Sequence, residues 1–78
     1  MALYARSLTD ALYQFDSIFN TEPEFRSAWN NANVDVRKRL NEIRTKINTG
    51  VALTDEDKVA ATSIFESLGQ PMETPAVT

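Results

Sequence analysis

The stretch DVRKRLNEIRTKI, residues 35–47, decides the fold. Val36, Leu40, Ile43 and Ile47 recur at intervals of four, three and four residues. That spacing draws one apolar stripe along a helix and cannot face one side of a strand, whose side chains alternate. Asn33 suits the N-cap, Asp35 lies near the positive end of the helix dipole and Lys46 near the negative end. Gly50 follows and can take the left-handed conformation that closes a helix. A helix over about 34–48 is therefore expected.

The same stretch concentrates charge. Arg37, Lys38, Arg39, Arg44 and Lys46 are five of the eight basic residues in a chain whose formal net charge is -3. Set against Asp35 and Glu42 they give the helix +3, so the remainder of the chain carries -6. On a helical projection the cations lie on both sides of the apolar stripe and form no separate face. Long Lys and Arg stems in such positions cover the edges of a core while their heads meet acidic neighbours. Glu42 stands at the favourable spacing to pair with Lys46, and in the weaker order with Lys38.

Outward from this helix the pattern stays helical. In TDED, Thr54 can cap and Asp55, Glu56 and Asp57 fill a first turn where negative charge is favoured. Ala61, Ile64, Phe65 and Leu68 supply the apolar side, and Gly69 and Pro71 stop the segment. On the other side, TEPE reads as a capping box in which Thr21 caps, Pro23 enters the first turn and Glu24 reaches back. Phe25, Ala28 and Trp29 follow, until NNAN interrupts. The first segment places Leu8, Ala11, Leu12, Phe15, Ile18 and Phe19 on one broad face. Its start is open: Tyr4 and Ala5 extend the face, whereas Ser7 with Asp10 caps a shorter helix. Two glycines and three prolines in the whole chain are too few turn residues for a sheet protein. The expectation is an all-α bundle of four short helices at about 3–20, 22–31, 34–48 and 55–68, forming one domain over 1–69 with 70–78 as a flexible tail.

Composition narrows the chemistry. The chain has no cysteine and no histidine, which removes thiolate nucleophiles, disulfides, the commonest general base and the commonest zinc ligand. No Gly-rich phosphate loop occurs, and the acidic run from Asp55 puts Ala60 where a calcium-binding loop needs glycine. No catalytic, metal-ligating or cofactor-binding residue is assigned, no small-molecule substrate is inferred, and enzyme activity is not expected. The opening MALYARSLTDAL lacks the cationic leader and apolar run of a secretory signal, and no stretch is long and apolar enough to span a bilayer. A soluble protein of the cytoplasm is expected, or of a host cytoplasm or virion if phage-encoded.

Two surfaces are candidates for binding. The first is the basic surface of Arg37, Lys38, Arg39, Asn41, Arg44 and Lys46, suited to an acidic protein partner. The second is the apolar face of Tyr4, Leu8, Leu12, Phe15 and Phe19, which serves self-association or a partner protein if the small core leaves it uncovered. A protein-binding factor acting as accessory, inhibitor, adaptor or small virion component, of the size common in bacteria and phages, is the leading expectation. The alternative is a helix-turn-helix-like module that reads nucleic acid with helix 34–48. The net charge of -3 disfavours it, because such proteins spend several cations on phosphates.

Overall fold

The computed structural model describes residues 7–70 and Met72. Among the described residues the fold is all-α, with five helices: α1 (Leu8–Tyr13), α2 (Phe15–Thr21), α3 (Pro23–Asn31), α4 (Val34–Asn48) and α5 (Asp55–Ser67). The first expected helix is thus two. Ser7 starts α1, its hydroxyl accepting the Asp10 N–H at 3.1 Å, which selects the shorter of the two readings of its start. At Gln14 the backbone leaves helical geometry (φ -99°, ψ 18°) and serves as the end of α1 and the beginning of α2. Hydrogen bonding continues through the break, from the Gln14 N–H to Asp10 and from the Ile18 N–H to Gln14. Glutamine is a good helix former and the apolar period runs straight across it, so nothing local announces the interruption.

The junction between α2 and α3 also departs from expectation. Thr21 is the last residue of α2, and its hydroxyl donates backwards to the Ser17 carbonyl at 2.7 Å. Glu22 takes the N-cap position of α3 with extended backbone (φ -117°, ψ 94°) and no side-chain cap. The cause is Pro23, whose ring forces the preceding residue out of helical conformation. Pro23 itself sits in the first turn, as expected.

The other boundaries follow the caps read from the sequence. The Asn33 side chain accepts the Asp35 N–H at 2.7 Å, and Thr54 with Asp57 forms a complete capping box on α5. Both glycines have positive φ, 80° at Gly50 and 86° at Gly69, just past the ends of α4 and α5. Each closes its helix with paired reverse hydrogen bonds: Val51 and Gly50 N–H to Lys46 and Ile47, and Gln70 and Gly69 N–H to Phe65 and Glu66.

The main helix pairs are α2 with α3, α4 with α5, and α1 with α2, α4 and α5. Leu40 and Ile43 of α4 are fully buried, with Val36 and Ile47 partly so, which places the whole stripe of residues 36–47 against the core. Phe15 is the centre of an aromatic cluster. Its ring meets Phe25 and Trp29 edge-on at 5.4 and 4.9 Å and lies 6.2 Å from Phe19 and 6.4 Å from Phe65. Phe25 and Phe65 stack at 6.1 Å, so residues from α2, α3 and α5 share one packed unit. Met72 is buried in the same core, beyond the expected domain end at residue 69. The rest of the expected tail after Met72, Pro71, and Tyr4 of the proposed apolar face lie outside the described residues.

Truncating Phe65→Ala should cost about 3–5 kcal/mol by removing a fully buried ring, whereas Val59→Ala, at a position 68% exposed, should move stability by less than about 0.5 kcal/mol. Urea unfolding followed by circular dichroism separates them. Gly50→Ala should cost about 1 kcal/mol from backbone conformation alone, because a methyl group there meets nothing within 4 Å.

Candidate functional site

Four of the five cations of α4 are held on its two flanks, and each flank has a partner. On one side, Arg39 and Lys46 are two turns apart and converge on a single carboxylate, Asp57 at the third position of α5. The Arg39 Nη2 lies 3.0 Å from Oδ1, and the Lys46 Nζ lies 2.7 Å from Oδ2. Oδ2 also accepts the Thr54 N–H at 3.2 Å, while the Asp57 N–H donates to the Thr54 hydroxyl at 3.0 Å. Asp57 is only 2% exposed, the one buried charged residue among those described. Burial alone would favour its neutral form. The Lys46 hydrogen bond, then that of the Thr54 backbone, oppose this; with the Thr54 hydroxyl and Arg39 they hold the carboxyl far below its usual 3.8.

On the other side, Arg44 lies over the Phe15 ring, its guanidinium carbon 4.1 Å from the centroid. Its Nη2 reaches Asp16 Oδ1 at 3.3 Å and its Nη1 reaches Asn41 Oδ1 at 3.2 Å. The Nε is buried without a hydrogen-bond partner, a consequence of laying the group flat on the aromatic core. Arg37 donates from Nη1 to the Asn30 carbonyl at 3.2 Å, at the end of α3, where a cation offsets the negative end of the dipole. Arg26 of α3 does the same for α2 through the Phe19 carbonyl at 3.0 Å.

The expected basic surface is therefore divided. Arg39, Arg44 and Lys46 are tied inward by ion pairs and Arg37 by a backbone carbonyl, which leaves Lys38 as the cation of α4 that makes no such contact among the described residues. Asn41 is exposed on the same outer side. The expected Glu42–Lys46 pair does not form, because the Lys46 ammonium goes to Asp57 and Glu42 stays exposed. The apolar face is largely used by the fold itself: Leu12 and Phe15 are buried, and Leu8 and Phe19 pack partly buried against the core.

Opposite the buried stripe, α4 presents a ridge of Val34, Lys38, Asn41 and Thr45, each exposed and spaced by four, three and four residues, flanked by the exposed Asp35, Glu42 and Asn48. Val34 is 62% exposed. Among the described residues, no group of three or more acidic, His or Cys side chains is placed to hold a metal ion, and no helix is long and apolar enough to cross a membrane. Sequence reasoning missed the role of Asp57, reading it as one of three first-turn acids; its register against Arg39 and Lys46 appears only once α5 lies against α4. Comparison with known proteins finds no matching family model, no matching curated protein and no matching solved structure.

Because the carboxyl of Asp57 is more acidic folded than unfolded, its contribution is fully present above the ordinary 3.8 and declines as pH falls toward the lowered folded value. Asp57→Asn should therefore lower the urea midpoint at pH 7 and flatten the acid limb of the stability profile. Asp55→Asn and Glu56→Gln, at exposed neighbours, should lower the pH 7 midpoint less. Arg44→Ala should cost about 1–2 kcal/mol through the lost contact with Phe15 and the uncovered core edge, measured by the same unfolding assay.

Proposed function

We propose that this chain acts by binding another protein, without chemistry of its own, and that the outer ridge of α4 is the surface it presents. The observation that carries this reading is the exposed ridge of Val34, Lys38, Asn41 and Thr45. A helix fixed to the core along one stripe and clasped on both flanks presents its remaining side as a rigid, preorganised surface. The ridge combines an apolar group, a cation that makes no ion pair among the described residues and an amide, which suits a partner groove with an apolar pocket beside acidic or polar groups. An accessory, inhibitory or adaptor role fits a domain of this size, and a second copy of the chain is one form the partner takes.

The nucleic-acid reading keeps one support, the order α3, two residues, α4, with Arg37, Lys38 and Asn41 on the second helix. Several observations weigh against it. α3 packs mainly on α2 and α4 mainly on α1 and α5, unlike two helices braced against each other for groove insertion. The internal pairing of Arg39, Arg44 and Lys46 also leaves few cations for phosphates in a chain of net charge -3.

The test is capture from lysate of the native host by the immobilised chain, with and without nuclease, using wild type and a Val34→Asp/Lys38→Glu double variant. Nuclease-resistant recovery of a protein, reduced at least about tenfold by a variant with unchanged melting temperature, is expected for the loss of central interface contacts. Equal recovery by the variant would move binding away from α4. Recovery abolished by nuclease, with affinity falling steeply in salt, would establish the nucleic-acid reading instead.

A further inference from the structure

We draw no further inference here: the strongest candidate, the groove of about 290 Å³ between the start of α3 and the end of α5, floored by Phe25 and Leu68 and rimmed by Glu22 and Glu24, carries nothing because nothing in the structure shows what covers it.

Discussion

The buried carboxylate of Asp57 is the constraint on which the arrangement of α4 and α5 depends. A charge removed from water is tolerated only when its lone pairs are satisfied, and here they are: Arg39 on one oxygen, Lys46 and the Thr54 N–H on the other. The two cations stand seven residues apart on α4, so one carboxylate between them sets where α5 begins along the α4 axis. Sliding α5 by one turn would leave the carboxylate short of at least one partner. The capping box ties the same group to the start of its own helix. A single side chain thus couples a local decision, where α5 starts, to a tertiary one, where it lies.

The opposite flank of α4 is fixed by different physics. Arg44 covers the Phe15 ring and spans from Asn41 on its own helix to Asp16 on α2. The Asp16 contact is the weaker part, since that carboxylate is 86% exposed and well solvated. The stem and guanidinium plane laid over the Phe15 ring matter more, covering an edge of the aromatic cluster. With Arg37 on the end of α3, the flanking cations reach α2, α3 and α5. In a domain of this size, where surface is large relative to volume, long charged side chains that seal core edges extend an otherwise small apolar core.

The sequence exposes this arrangement unevenly. The helical period of α4, the caps at Ser7, Asn33 and Thr54, and the glycines at 50 and 69 act within a few residues, and each appears where local chemistry puts it. The two departures, at Gln14 and Thr21, have different origins. Thr21 was outcompeted by a local effect that was visible, the extended backbone required of Glu22 by Pro23. The break at Gln14 carries no local sign, because both flanking turns remain helical in pattern and in hydrogen bonding. The pairing of Arg39 and Lys46 with Asp57 is non-local, joining residues 11 and 18 apart, and helix periodicity has no access to it. Distribution of the cations around the stripe did indicate that they would meet neighbours on both flanks; which neighbours required the fold.

That distinction bears on what a basic segment means in an acidic chain. Counted along the sequence, residues 37–46 resemble an electrostatic footprint for nucleic acid. Arg39, Arg44 and Lys46 share two carboxylates, Asp57 and Asp16, so two of their three charges are offset and the field they project is reduced. The exposed residues of α4 are then Val34, Asp35, Lys38, Asn41, Glu42, Thr45 and Asn48, in which one cation stands beside two carboxylates. Long-range attraction of a polyanion has little to act on there. Under the proposed protein-binding reading, recognition by such a surface would rest on short-range fit, apolar contact at Val34 and individual hydrogen bonds, as a shaped protein surface supplies and a uniformly charged backbone does not.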